Sequence, residues 1–208
     1  MLEIVRVIAG PLATNSFIVI DPETSEAVIV DAPPESDALI AREVSERNAS
    51  PVALVITHGH WDHIGDVKPV RERYNIPVLI HELDTPMLEN PGDWGFPPAS
   101  PDRELIDGDT IAFGKVEFKV MHTPGHCPGQ VSLYHAPSAS LFGGDTLFPN
   151  GWGRIDIRGA SEEETLRTMA KLLELPDEVT VYPGHGLATT IGRERPLMQY
   201  VVKAGRLE

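Results

Sequence analysis

Three histidines and an aspartate, His58, His60, Asp62 and His63, fall within six positions of the chain. Imidazole and carboxylate are ligand types suited to zinc or iron. His58 and His60 are two apart, so in extended chain their rings can point the same way. Asp62 and His63 are adjacent and must point elsewhere, so one turn can offer two divergent pairs of metal ligands. A lone histidine at a strand end is ordinary loop chemistry. Four ligand-type residues in H-x-H-x-D-H order are not, because without a metal they would gather ionisable groups at the edge of a core, at a cost in free energy.

The flanking pattern says what must position them. Val52 to Ile56 is an apolar, β-branched run that reads as a buried strand. Ile64, Val67 and Val70 then fall three apart, which predicts a helix reaching about Tyr74, where Asn75-Ile76-Pro77 breaks it. The cluster therefore sits at the carboxyl end of a strand, where ligand crevices open in layered α/β structures. Three more apolar segments end in ligand-type residues. Val116 to Met121 leads to His122 and His126, Leu141 to Gly144 leads to Asp145, and Val179 to Pro183 leads to His185. If these ends share one edge, they converge on the first turn. Asp31 closes a further strand, Ala27 to Val30, as an acceptor for the outer N–H of a ligand histidine.

Elsewhere, Ile4 to Ile8, Ser16 to Ile20 and Val78 to Ile80 read as strands, and residues 36 to 47 as a helix with Ser36 as N-cap. Thr110 to Phe113 and Lys115 to Val120 form a hairpin across Gly114, and Val131 to Tyr134 pairs with Ala139 to Phe142. Ser161-Glu162-Glu163-Glu164 is a capping box opening a helix to Leu173, and residues 193 to 202 are a closing helix. Between 84 and 104, prolines and glycines exclude long elements. Trp94 and Phe96 in that stretch either pin the loop to the core or form a lid.

With 208 residues and 41% hydrophobic content, the chain is expected to form one domain, residues 1–208. A net charge of −14 argues against nucleic acid or an anionic membrane surface as a partner. A single cysteine, Cys127, excludes an internal disulfide. With no leader and no membrane-length apolar run, a cytoplasmic location is expected.

The H-x-H-x-D-H turn is followed by T-P-G-H-C-P-G (Thr123 to Gly129), G-D-T-L-F (Gly144 to Phe148), G-R-I-D (Gly153 to Asp156) and Y-P-G-H-G (Tyr182 to Gly186). In this order the motifs resemble the metallo-β-lactamase superfamily, and within it the short bacterial glyoxalase II-like (hydroxyacylglutathione hydrolase-like) group. The resemblance implies an αββα sandwich: two packed mixed sheets with helices on the outer faces. It implies that His58, His60 and His126 hold one divalent ion, that Asp62, His63 and His185 hold a second, and that Asp145 bridges them. Zinc is the expected metal, with iron or manganese as alternatives. His81, His122 and His135 match no ligand position.

The implied activity is hydrolysis of a thioester, S-D-lactoylglutathione or a related acyl-thiol, by a metal-bridging hydroxide. Asp62 would also orient the water or receive its proton. Arg154 stands where such relatives place a basic residue near the glutathione carboxylate. The implied partner is a small-molecule thioester, and the protein a monomer or homodimer. Three departures stand out. The helical domain that supplies further glutathione contacts in the full-length enzymes has no counterpart, and Asp156 and Leu187 replace two substrate-site tyrosines. The β-lactamases proper carry cysteine at the position of Asp145, which argues against β-lactam hydrolysis. The competing readings are a mononuclear-iron persulfide dioxygenase using His58, His126 and Asp145, and a lactonase or other ester hydrolase.

Overall fold

The computed structural model describes residues 2–207. In the first half, β1 (Glu3–Ala9), β2 (Thr14–Ile20) and β3 (Glu26–Val30) form an antiparallel meander. β4 (Ser50–Val55), β5 (Val78–His81) and β6 (Arg103–Leu105) extend it in parallel, in the order β1-β2-β3-β4-β5-β6. The parallel crossovers carry α1 (Asp37–Glu46), then α2 (Trp61–Ile64) and α3 (Val67–Tyr74), then α4 (Thr85–Glu89). In the second half come β7 (Thr110–Phe113), β8 (Val116–His122), β9 (Val131–His135) and β10 (Ser140–Gly144), then a ribbon of β11 (Leu147–Phe148) and β12 (Gly151–Trp152). α5 (Glu162–Leu172), β13 (Thr180–Pro183), β14 (Thr189–Thr190) and α6 (Ile191–Ala204) complete it, and the second sheet runs β14-β13-β10-β9-β8-β7.

Apolar side chains divide into three layers, which is why two sheets need helices outside. β2 shows the division: side chains alternate along a strand, and here both sets are buried. Phe17 and Val19 meet Phe118, Leu133 and Phe142 of the second sheet, while Ile18 and Ile20 pack with Ile40 of α1 and Val70 of α3. Beyond the second sheet, Leu141 and Val181 pack with Met169 of α5 and Met198 of α6. The result is the αββα sandwich.

Strand direction then places the site. β8, β10 and β13 run the same way, so the segments after them emerge along one edge. β3 and β4 are parallel to each other and deliver Asp31 and His58 from the other sheet. Backbone bonds join the sheets along that edge: Asn15 N donates to Gly184 O (2.7 Å) and Val131 N to Thr57 O (2.8 Å).

The structure departs from expectation at local points. The helix behind the first turn is two pieces, because His63 O accepts from Ala32 N and Asp66 N donates to Ala32 O, both at 2.9 Å, which diverts those groups from the helix. Ser36 occupies the N-cap of α1 but its side chain caps nothing. Asp66 Oδ2 accepts from Asp37 N instead (2.9 Å). Only half of the capping box forms. Ser161 Oγ accepts from Glu164 N, whereas Ser161 N donates to Gly125 O and Glu164 pairs with Arg167. The irregular stretch holds α4 and β6, and Trp94 is not pinned to the core. It is exposed and stacks on Trp61, with ring centroids 4.3 Å apart.

Candidate metal centre

All seven residues expected to hold metal converge. His58, His60 and Asp62-His63 come from the β4–α2 turn, His126 from the segment after β8, Asp145 from the end of β10, and His185 from the end of β13. Three sets of ligand atoms lie within 4.8 Å of one another: His58-His60-His126, His58-His63-Asp145, and Asp62-His63-His185. Asp145 faces both halves. Its Oδ1 is 3.5 Å from His63 Nε2, and its Oδ2 is 3.5 Å from both His126 Nε2 and His185 Nε2.

The rings are aimed by their outer nitrogens, the arrangement that fixes metal-binding imidazoles. His63 Nδ1 meets Asp31 Oδ2 at 2.7 Å, His126 Nδ1 meets Arg154 O at 2.9 Å, and His185 Nδ1 meets Leu12 O at 3.1 Å. His58 Nδ1 meets Thr57 Oγ1 at 3.1 Å. On the inner side, His126 Nε2 meets His60 Nδ1 at 2.9 Å and His185 Nε2 lies 3.2 Å from Asp62 Oδ2, while three atoms are orphans. Buried His58 Nε2, His63 Nε2 and Asp145 Oδ1 have no hydrogen-bond partner among the described residues. Such atoms are costly unless something is meant to sit between them, and their N/O chemistry fits divalent metal binding.

The two halves differ electrostatically. Burial, then the neighbouring imidazoles, pushes His58 well below the usual imidazole range and His60 down to about 4. Both are therefore neutral at pH 7, with lone pairs to donate. Burial pulls His63 and His185 the same way but is overcome. Asp31 and Asp145 raise His63 well above its ordinary value, and Asp62 and Asp145 raise His185. Asp62 and Asp145 are held below the carboxylate range against burial, chiefly by His185 and His63 respectively. Without metal, the raised His63 and His185 favour holding protons between these carboxylates. A divalent cation would take the protons' place.

Several residues beyond the seven candidate ligands complete the centre, among which Thr14, Thr57 and Asp84 were not singled out by the sequence. Thr14 Oγ1 donates to Asp62 Oδ2 (3.0 Å). Asp31 Oδ1 accepts from Thr57 N (2.7 Å), so the carboxylate that aims His63 also anchors the start of the turn. Asp84, fully buried, accepts from Gly59 N (2.9 Å), Cys127 Sγ (3.0 Å) and Gly129 N (2.7 Å), tying the first turn to the His126 segment. Burial and that carboxylate push the Cys127 thiol up, so Cys127 acts as a protonated donor. Nothing in the sequence around Asp84 marks it, whereas Thr57 adjoins the histidine motif. At Gly184 a Cβ would fall 2.3 Å from Asp145 Oδ1 and 2.6 Å from the His63 ring, so only glycine lets the backbone pass there. His122 lies outside the cluster, stacked on His81 with its Nε2 at Pro128 O.

The cluster floors an open cavity of about 570 Å³, walled by Leu12, Trp61, Met87, Phe148, Trp152 and Ile157. Arg154 lines it too, but its guanidinium makes a two-pronged pair with Asp156, both contacts at 2.9 Å. Arg158 also lines the cavity. Among the described residues, no helix is long and apolar enough to cross a membrane.

The family model described as the metallo-beta-lactamase superfamily matches residues 9–185. A protein of Aquifex aeolicus, described as uncharacterized, is 39% identical over 92% of this chain and 94% of its own. The hydroxyacylglutathione hydrolase GloC of Haemophilus influenzae is 31% identical over 93% of this chain and 94% of its own. Among solved structures, the BLEG-1 B3 metallo-beta-lactamase superposes with a TM-score of 0.87 at 35% identity, covering 96% of this chain and 99% of its own. TTHA1623 in a di-iron-bound form superposes with a TM-score of 0.82 at 38% identity, covering 92% and 96%. The chain belongs to the metallo-beta-lactamase superfamily.

Proposed function

We propose that this superfamily member is a dinuclear metal-dependent hydrolase of acyl-thiols. One observation carries the reading: His58 Nε2, His63 Nε2 and Asp145 Oδ1 are buried and unpartnered among the described residues, and they cluster with His60, Asp62, His126 and His185, which together with Asp145 line an open cavity. His58, His60 and His126 would hold one ion and Asp62, His63 and His185 the other, with Asp145 reaching both. Zinc suits the His/Asp set. The TTHA1623 neighbour, named as di-iron-bound, keeps iron open. When bound, such ions lower the pKa of a water toward neutrality and polarise an acyl carbonyl.

The chain's own residues do the rest. Asp62, kept ionised by His185 and fixed by Thr14, is placed to orient a water and accept its proton. The apolar walls hold the acyl-thiol and exclude bulk solvent. The relative named as a hydroxyacylglutathione hydrolase supports a thioester such as S-D-lactoylglutathione. The likeness to BLEG-1, named as a B3 metallo-beta-lactamase, supports β-lactam hydrolysis as a second reading, against which Asp145 weighs. The test is a panel of S-D-lactoylglutathione, a simple acetyl thioester, a lactone and a cephalosporin on metal-loaded protein. The thioesters should give the highest kcat/KM. Preferential turnover of the cephalosporin or the lactone would replace this reading.

A further inference from the structure

The cavity rim holds two arginines in different electrostatic situations. Arg154 is engaged: its Nε and Nη2 both donate to the Asp156 carboxylate, so its charge and two of its donors are committed within the chain. Arg158 is exposed, lines the same cavity, and makes no hydrogen bond or ion pair among the described residues. A protein of net charge −14 repels anions at long range, so an unpaired guanidinium at the mouth of its cavity is a local exception. Arginine presents a planar fork that matches a carboxylate. The remaining side chains that line the cavity include Leu12, Trp61, Met87, Phe148, Trp152 and Ile157, which supply no acceptor and no charge, and only the Trp N–H groups as donors.

We propose that Arg158, not Arg154, is the anion-binding residue of this cavity, and that the preferred substrate is an acyl-thiol whose thiol portion ends in a carboxylate across an apolar stem. The assignment rests on the acyl-thiol reading above. Asp156 keeps Arg154 neutralised, so the cavity offers one cation rather than two. An anionic end then has a single orientation, which leaves the thioester at the floor.

The test separates binding from chemistry. Trp61 and Trp152 line the cavity and Trp94 stacks on Trp61, so intrinsic fluorescence reports on occupancy. The probes are 6-(methylthio)hexanoate and 6-(methylthio)hexanamide, which share a stem and cannot be hydrolysed. Metal-loaded wild-type protein should bind the carboxylate roughly fivefold more tightly than the amide, the upper end for an exposed charge pair. Arg158→Ala should abolish that preference while leaving the amide affinity unchanged. Arg158→Lys should keep part of it, the double replacement Arg154→Ala with Asp156→Ala, which removes the neutral pair together, should retain it, and Asp156→Ala alone, which frees Arg154, should increase it. A preference that survives Arg158→Ala overturns the proposal, whether the carboxylate then sits on the floor or on Arg154. The absence of any preference in wild-type protein overturns it as well. Turnover of the S-acetyl esters of 6-mercaptohexanoate and its amide is read separately. Hydrolysis of neither removes the acyl-thiol reading, whatever the binding measurement shows about Arg158.

Discussion

At the floor of the cavity, four of the five clustered histidines have their outer ring nitrogen fixed, by Thr57, Asp31, Arg154 O and Leu12 O. At the rim, Trp94, Leu12 and Arg158 are exposed, and Arg154 is held only by a surface carboxylate. The floor is over-determined: its side chains are buried or half-buried, come from both sheets, and hold one another in position. The rim is made of short segments whose side chains face water. Chemistry that requires atoms placed within tenths of an ångström belongs on the floor. Selectivity, which can change by single substitutions, belongs at the rim.

Breaking the floor should therefore have large effects, and the largest is expected at Asp145. Its two oxygens face both halves of the cluster, so Asp145→Ala should lower metal stoichiometry at both. Activity should fall by more than the roughly 10–100-fold typical of losing an outer partner. Elemental analysis together with thioester turnover would check this. Unchanged stoichiometry would show that the two halves are independent.

Asp31→Asn comes next. It removes the charge that aims and protonates His63, and should weaken metal binding by about 10–100-fold. The sign of the pH dependence follows from the raised His63 and His185 values. In metal-free protein the raised values favour the protonated rings, so metal must displace the protons they hold, and apparent affinity should rise with pH until both deprotonate unaided. In Asp31→Asn, His63 loses its main partner and releases its proton at lower pH, so that dependence should flatten. Calorimetry in buffers of different ionisation enthalpy would count the protons released.

Asp84→Ala probes what joins the turns. It strands the buried Gly59 and Gly129 N–H groups and should cost about 2–6 kcal/mol of stability, at roughly 1–3 kcal/mol per unsatisfied group. Thermal unfolding of metal-free protein would measure it, and Asp84→Asn should recover part of the loss.

The smallest effect is expected at the rim. Arg154→Ala removes an exposed, solvent-screened pair and should leave the thermal unfolding midpoint essentially unchanged. The His126 contact to the Arg154 carbonyl should remain, because it is a backbone contact.

The same division governs how much was legible in the sequence. The candidate ligands at 58 to 63 could be read because strand and helix periodicities meet there, Asp145 and His185 because each follows an apolar strand, and His126 rather than His122 only through the family resemblance. Their convergence depended on strand direction, which pattern does not give: β8, β10 and β13 run the same way through pairings between distant segments. Asp31 was legible from its place at the end of β3. Asp84 was not, because it stands in a proline-broken stretch and its partners are 25 to 45 residues away in sequence. Ser36 was misleading for the same reason. Its helix is capped by Asp66, 29 residues distant from the N–H it accepts. Arg154 could be found from its motif, but its engagement by Asp156 depends on rotamers that no motif encodes. Arg158 carried no signal at all.

The central claim is that the gathered side chains form a two-ion centre whose completion produces acyl-thiol hydrolysis. The most direct test is a zinc titration of metal-free protein in which bound metal and hydrolysis of a simple acetyl thioester are followed together. Two ions should bind per chain, with turnover rising as the second site, built on Asp62, His63 and His185, is filled. Full turnover at one ion per chain, or two bound ions with no thioester hydrolysis, would contradict it.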